Sequence, residues 1–545
     1  MKKFMAALLC ILLVVSLAAC GGGGNSGGNS GGNSGGNGGG SGSSDGPKVG
    51  GTYIVPDDAE PSTLNPDAIA DDYNYPIVQN LFPRLYKLNN AFQAIPDLAT
   101  SYDVSDDALT YTFHLRENAV WSDGEKVTSA DVLYTFNEII ANHYAFESVF
   151  AEVDKIEAPD DYTVVFTMKG PDGSFVSNLS WYGTFVLPKH VLEGTDWLTN
   201  DEFSNNPVTC GPFKFDVWNK GTDVQIVRDD NYWGEHTAYL DRVIYTVISD
   251  GSTMYQAWLN DEIDEIGAFY IPTTDLDGII ADTDHYYTVE QVWPSPWYVA
   301  FNVKDGPFAD PLVREAVAYG VDRADVSEKA TGGYKPVNNH FIPDNYVDAV
   351  NDDAKQPDYD VAKAQELLEQ AGYTKGADGY YFETTFTVMQ GFDDFCKVIA
   401  DHMEKMGIKV KLDVLDYDIW SERCLDNGEF EITALGGFQG PDVLGTTRRW
   451  TTDGSVNVPQ YSRPEVDELA KKAVSAATDA ERNECIKQIQ VYLREDIPIL
   501  LIVNYADYQP FKNYIKGNNY VSVSEGGSME IVGFSELTET WLDKE

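Results

Sequence analysis

The chain has 545 residues, 43% of them hydrophobic and 12% aromatic, so it is globular rather than disordered and long enough for two or three lobes. It carries 38 Lys and Arg against 87 Asp and Glu, a formal charge of −49, which argues against nucleic acid, since phosphate binding needs the opposite sign. That acidity either steers cationic ligands inward or serves solvation alone.

Lys2 and Lys3 precede an almost unbroken apolar run from Phe4 to Ala19. A basic end, an apolar middle and small residues before the cut mark residues 1–19 as a secretory signal peptide. The run is about 16 residues, short of the roughly 20 that a spanning helix needs. Leu17-Ala18-Ala19-Cys20 resembles the bacterial lipobox, in which the cysteine becomes the first mature residue and carries diacylglyceryl. The expectation is therefore a lipidated (diacylglyceryl and palmitate) Cys20, holding the protein on the outer face of the cytoplasmic membrane. Removing residues 1–19 deletes two lysines and no acid, so the mature chain is more acidic still.

Residues 20–47 then form a Gly/Asn/Ser-rich linker, a flexible coil with an r.m.s. span of about 28 Å. It contains a Gly-x-Ser-x-Gly at Gly24 to Gly28, but no strand precedes it and no helix follows, so it is no hydrolase elbow. Of the six cysteines, Cys10 leaves with the signal. Cys210, Cys396, Cys424 and Cys485 are widely spaced without a CxxC pair, which removes zinc and thioredoxin-like readings and leaves the disulfide state open.

Ordered sequence begins near Lys48. Gly51–Val55 is a short strand, ended by the turn Asp57-Asp58-Ala59-Glu60-Pro61. Leu109, Tyr111, Phe113 and Leu115 alternate with polar residues as a half-buried strand, with His114 on the polar face. Trp121-Ser122-Asp123-Gly124 is a turn, and Ser129-Ala130-Asp131 opens an amphipathic helix to about Asn142. Strands follow at Tyr162–Met168, Gly211–Trp218, Val224–Arg228 and Val243–Ser249, then a helix at Ser252–Asn260. After Pro294 and Pro296, Tyr298–Asn302 is strand-like. Helices at Pro311–Ala318 and Tyr359–Gln370 lead to a strand at Phe386–Met389, a helix at Phe392–Met406, and strands over Ile408–Val414 and Phe430–Leu435. A late helix opens on the capping box Thr478-Asp479-Ala480-Glu481, and Ile497–Val503 is a buried strand. The alternation from Tyr298 onward indicates a second α/β unit.

Several segments, in order, are similar to one family. They are Leu98-Ala99-Thr100-Ser101-Tyr102, Tyr111-Thr112-Phe113-His114-Leu115-Arg116, Trp121-Ser122-Asp123-Gly124 and Thr128-Ser129-Ala130-Asp131-Val132. Gly211-Pro212-Phe213, Arg228 to Tyr232-Trp233, Ala300-Phe301-Asn302, Phe308-Ala309-Asp310-Pro311 through Arg314 to Val317, and Val321-Asp322-Arg323 continue the match. They resemble the extracytoplasmic solute-binding proteins of ABC transporters that take up oligopeptides, dipeptides and nickel, and they run from about residue 50 to 510. Trp121, Arg314 and Arg323 are read as structural members of that pattern.

The resemblance implies an α/β, two-lobed periplasmic-binding-protein-like (Venus flytrap) fold with an extra subdomain on the first lobe. The expected division is 48–80 plus 196–298 plus 502–545 for lobe I, 81–195 for the extra subdomain and 299–501 for lobe II. Crossings are expected near Trp293–Asn302 and Leu500–Asn504. Ligand lies between the lobes, and hinge closure buries it. The implied role is a monomeric receptor, not an enzyme, that captures peptides and delivers them to an ABC permease, without cofactor or metal. The alternatives are the same transport role for a nickel chelate, an oligosaccharide or another small solute, or a peptide-sensing surface lipoprotein that feeds no permease.

In peptide-binding members the ligand lies extended against strands of both lobes, an acid taking its ammonium and basic residues its carboxylate. The matching second-lobe segment is Leu435-Gly436-Gly437-Phe438-Gln439-Gly440-Pro441-Asp442. Aligned with oligopeptide-type members, the acid's column falls on Gly440; aligned with dipeptide-type members, whose acid stands beside a proline, it falls on Asp442. Asp442 is thus the expected ammonium anchor, with a loop cap as its alternative. Arg448 and Arg449 are carboxylate candidates, or else structural partners of nearby acids. Gly436, Gly437 and Gly440 would let ligand approach the backbone. Phe438, Trp450, Trp293, Trp297, Tyr73 and Tyr75 are cleft-wall aromatics, with core packing as the alternative for each.

Overall fold

The computed structural model describes residues 46–89, 93–181, 183–437, 439–440, 442–476, 478–518 and 536–544. The signal peptide, Cys20 and the linker up to Asp45 lie outside the described residues, as does Phe438.

In the first half, the strand Thr52–Asp57 pairs in parallel with Arg242–Val247. Asp223–Arg228 and then Phe213–Asn219 extend the sheet antiparallel. A second, wholly antiparallel sheet has the order Ala99–Val104, Thr110–Leu115, Thr163–Met168, Val153–Asp160. Thr110–Leu115 shows the alternation its sequence dictates, with Tyr111, Phe113 and Leu115 buried and His114 facing Asp103 at the surface. The helix Ser129–Asn142 packs on this sheet. It starts at Thr128 in a reciprocal capping box with Asp131, which satisfies first-turn N–H groups left without helical partners. Trp121 is fully buried beside it. The two sheets share one core: Tyr53, Ile226 and Val243 belong to the same cluster as Phe113, Trp121 and Phe166.

The second half holds a five-stranded sheet in the order Ile408–Leu415, Phe382–Met389, Ile432–Leu435, Tyr286–Phe301, Ile499–Lys512. Four of the five strands are mutually parallel, and only Tyr286–Phe301, between Ile432–Leu435 and Ile499–Lys512, runs against them. Helices Pro311–Gly320, Val361–Gln370, Asp393–Met406 and Asp479–Asp496 cover this sheet and bury a separate core. Arg314 is buried there, its guanidinium donating to the carbonyls of Phe308, Ala309, Asp496 and Ile497. Arg323 likewise donates to the carbonyls of Asn338 and Pro357. The expected capping box at Thr478 is half present: its hydroxyl accepts from the Glu481 N–H.

Two long strands carry the chain between the cores. Tyr286–Phe301 pairs antiparallel with Ile499–Lys512 along most of its length. Val289 and Phe511 lie in the first core, whereas Tyr298–Phe301 and Ile499–Val503 lie in the second. The ladder breaks register between Val292 and Pro296, and again between Trp297 and Tyr298. Pro294 and Pro296 therefore sit inside a continuous strand, at an irregularity that needs no ladder N–H from them. Segment 334–338 straps this crossing: Val337 bridges Val503, the Asn338 N–H donates to Ile502 O, and the Asn504 N–H to Pro336 O.

The halves also meet away from the crossing. The Gly173 N–H donates to Val474 O at 3.0 Å, at the end of helix Pro464–Val474. Tyr334 bonds Asp277 on helix Thr273–Ala281. Leu88 and Trp181 pack on the second core. Cys210, Cys396 and Cys424 are buried free thiols and Cys485 is a half-buried one. Among the described residues no helix is long and apolar enough to cross a membrane.

Candidate functional site

In open parallel sheets, ligands bind beyond the carboxyl ends of the strands. In the second sheet those ends are Met389, Leu415 and Leu435. The antiparallel crossing strands bring Trp293–Trp297 and Asn504–Asp507 to the same edge, so this edge faces the other half of the molecule.

Four features meet there. The strand Ile432–Leu435 opens into the glycine loop, and Gly436 lies against Trp297: a Cβ at 436 would come within 2.8 Å of the Trp297 ring. Trp297 packs on Phe392 and Phe395, with centroids at 4.9 and 5.5 Å. Trp293 packs edge-on to Tyr505 at 6.3 Å. Lys335, carried by the strap, places its Nζ 3.8 Å from the Tyr505 ring centroid and 5.0 Å from that of Trp297.

Lys335 is the unusual group of the set. Its ammonium donates to Ala506 O at 3.3 Å and forms no ion pair among the described residues. Burial pushes it down to about 8, against the opposing pull of Asp507. Asp507 is itself raised by burial, relieved by Lys335 and by a hydrogen bond from Tyr505. A half-buried cation held by aromatic faces, one carbonyl and the charge of Asp507, without a direct ion pair, has room for a closer anion, and an entering carboxylate would supply it.

At the carboxyl end of Thr52–Asp57 the opposite half presents Asp57, Asp58, Tyr73 and Tyr270. Burial, then the neighbouring Asp58 and Asp71, push Asp57 up to about 7. The Tyr73 and Tyr270 phenols lie near Asp58, and both are raised, by burial first and Asp58 next. Phe269 stacks on Tyr270 at 3.9 Å and is 57% exposed. This wall of the first half is acidic and aromatic, whereas the second-half edge carries the cation Lys335 among aromatic rings.

The residues expected from sequence divide. Gly436, Gly437, Gly440, Trp293 and Trp297 come together at the second-half edge, and Tyr73 lies on the acidic wall. Arg448 follows on the 3-10 turn Val443–Arg449. It is exposed, its Nε donates to Gly445 O, and among the described residues no carboxylate pairs with it.

Four expectations are corrected. Asp442 is not a free anchor: one oxygen caps the turn by accepting the Leu444 N–H at 2.7 Å, and the other pairs with Arg482 at 3.0 Å in a buried setting. Arg449 is buried and spends its guanidinium on protein acceptors, Gln439 Oε1 at 2.6 Å, the Tyr298 hydroxyl at 2.6 Å and Gly437 O at 3.2 Å. Tyr75 is buried in the first core, where its hydroxyl accepts from Arg84 at 3.0 Å. Trp450 is likewise second-core packing.

Sequence reasoning missed Lys335, Tyr505, Asp507, Asp57 and Tyr270. The expected second crossing ended at Asn504, and following the strand three residues further reaches Tyr505 and Asp507. Nothing local marks Lys335; only the fold brings it to the aromatic edge. A cavity of about 610 Å³ lies elsewhere, within the first half beside Tyr53, Arg84, Lys87 and Glu536. Its charges are satisfied internally, Lys87 with Glu536 at 2.7 Å and Tyr53 with Glu265 at 2.7 Å, so it asks for no ligand.

Comparison with known proteins gives concordant results. Residues 93–457 match the family model of bacterial extracellular solute-binding proteins, family 5 (middle region). The chain is 26% identical over 544 residues to the oligopeptide-binding protein AppA of Bacillus subtilis, covering 95% of this chain and 96% of that one. It is 25% identical over 486 residues to the dipeptide-binding protein DppE of the same organism, covering 84% and 87%. The crystal structure of the ABC transporter substrate-binding protein CtaP of Listeria monocytogenes superposes with a TM-score of 0.78 at 24% identity, covering 91% of this chain and all of that one. That likeness establishes the two-lobed, periplasmic-binding-protein-like α/β fold.

Proposed function

The chain belongs to the bacterial extracellular solute-binding proteins of family 5, and from that premise we propose that it captures peptides between its lobes and delivers them to an ABC permease. The observation that carries the peptide reading is Lys335, a half-buried cation at the mouth of the hinge that has no direct ion pair among the described residues. With Arg448 it offers a carboxylate two positive partners on lobe II. Asp57 and Asp58, with the tyrosines beside them, offer an ammonium its counter-charge on lobe I. The glycine loop Gly436–Gly440 leaves backbone open between these poles. Such a layout suits an extended zwitterion held largely through its main chain, with aromatic walls that tolerate varied side chains.

The division proposed for the mature chain is lobe I over 48–80, 196–298 and 502–545, the extra subdomain over 81–195, and lobe II over 299–501. The protein acts as a receptor and not as an enzyme. Lipidation at Cys20 would hold it on the outer face of the membrane, through the 20–47 linker.

A thermal-shift panel tests the ligand class, using di- to hexa-alanine, their N-acetylated amides, a maltose series and nickel–histidine. A ligand at 100 times its Kd adds about 2.7 kcal/mol of stability. Free oligo-alanines are expected to raise Tm and their doubly blocked forms to do so far less. A shift with sugar or the nickel chelate and none with any peptide sinks the peptide reading.

A further inference from the structure

The glycine loop is not free to choose its shape, and the groups that fix it also touch the hinge. Arg449 reaches back under the loop from the end of the turn Val443–Arg449. Its Nε donates to Gln439 Oε1 at 2.6 Å, and one terminal nitrogen donates to Gly437 O at 3.2 Å. The other terminal nitrogen donates to the Tyr298 hydroxyl at 2.6 Å, while the guanidinium lies 5.1 Å from the Tyr298 ring centroid. Tyr298 is the first residue beyond the second register break of the crossing strand. The loop is also tied to that strand directly, because the Gln439 N–H donates to Pro294 O at 2.8 Å, inside the first register break.

Arg449 thus bridges two elements that converge on the cleft. On one side are Gly437 and Gln439 of the ligand loop; on the other is Tyr298, where the crossing strand enters the lobe II core. Gly437 has a φ of 150°, at the edge of the left-handed side, and a Cβ there would come within 3.3 Å of the Arg449 guanidinium. The loop conformation therefore depends both on glycine and on the cation beneath it. Buried hydrogen bonds to a charged group are stronger than neutral ones, and the acceptors left behind when the cation goes are costly.

We propose that Arg449 is a positioning residue for ligand capture: it locks Gly437 and Gln439 of the glycine loop to the crossing strand, so that hinge closure carries their backbone onto the ligand. It acts through Gln439, Gly437 and Tyr298 and does not touch the ligand. The proposal rests on the reading of the cleft as a peptide site, but its first readout needs no ligand.

Arg449→Met and Arg449→Lys in the full chain test it by hydrogen exchange and by affinity for tetra-alanine with a free or an amidated carboxyl end. Amides of the loop are expected to exchange about tenfold faster in Arg449→Met, the factor that losing one charged hydrogen bond brings. The central strand Phe382–Met389 should keep its protection, and Arg449→Lys should restore part of the loop's. Affinity should fall by the same factor for both tetra-alanines. A loss confined to the free carboxylate would overturn the proposal by making Arg449 a ligand contact, as would loop exchange equal to that of the parent. If the methionine variant loses protection throughout lobe II, the lysine variant decides. If the parent binds no tetra-alanine, the peptide reading suffers, while loop exchange still judges Arg449.

Discussion

Lys335 shows how burial can turn a common surface residue into a recognition group. Its ammonium is partly withdrawn from water between two aromatic faces and one carbonyl, which brings its pKa down from the ordinary lysine range to about 8. The sign of the linkage follows. Below about pH 8 the free protein holds Lys335 charged, ready for a carboxylate and already bearing its full burial penalty. Above pH 8 the lysine is neutral, and binding a carboxylate must first take up a proton. Affinity for an N-acetylated peptide with a free carboxyl end should therefore be flat below about pH 7 and fall above pH 8, by up to about tenfold per pH unit. N-acetylation keeps the ligand's own amine out of the titration. Calorimetry from pH 6 to 10 checks this, and Lys335→Met should bind more weakly and lose the slope. A slope unchanged in Lys335→Met would assign the titration to another group.

At the scale of elements, the proposed extra subdomain matters because its Gly173 touches the second half of the chain. Gly173 lays its N–H on the last carbonyl of helix Pro464–Val474, and a Cβ there would come within 3.2 Å of that oxygen. Its φ is not in the left-handed region, so a side chain would act through contact rather than backbone strain. Gly173→Val should cost this contact about 1 kcal/mol, roughly a fivefold change in the open–closed balance. Apparent peptide affinity should fall by up to that factor, and small-angle scattering of the unliganded protein should show a larger radius of gyration. Scattering and affinity both equal to the parent would show that the contact does not bear on closure.

The same scale shows what was legible in the chain. Alternating strands such as Thr110–Leu115 and capped helices such as Ser129–Asn142 write their own pattern, because each buries one face and closes its own ends. The crossing strand Tyr286–Phe301 was visible only from Tyr298 onward. Pro294 and Pro296 look like breakers, and only the partner strand shows that they fall at a register break. The candidate site was less legible for a related reason. Asp442 and Arg449 have the chemistry of ligand anchors, yet Arg482 and Tyr298, distant in sequence, claim them in the fold. Lys335 ended at the cleft for reasons no local window contains.

For the whole molecule, capture is useful only if it happens beside a permease. Among the described residues no helix is long and apolar enough to cross a membrane, and the proposed hold on the membrane is lipidated Cys20. Two acyl chains on a diacylglyceryl cysteine bury many methylenes at about 0.8 kcal/mol each, which suffices for stable anchoring. A Gly/Asn/Ser-rich coil of the linker's length would span about 28 Å on average, short enough to keep the lobes near the surface and loose enough to let them turn. Such a tether would raise the local concentration of receptor at the permease, so that weak docking would suffice. Cys20→Ala should leave peptide binding in the purified protein unchanged, move the protein from the membrane fraction to the medium, and depress uptake of a labelled peptide several-fold. Fractionation and uptake in the same cells separate the two effects. Full uptake by a released receptor would mean that docking affinity alone sustains transport and that the tether contributes nothing to delivery.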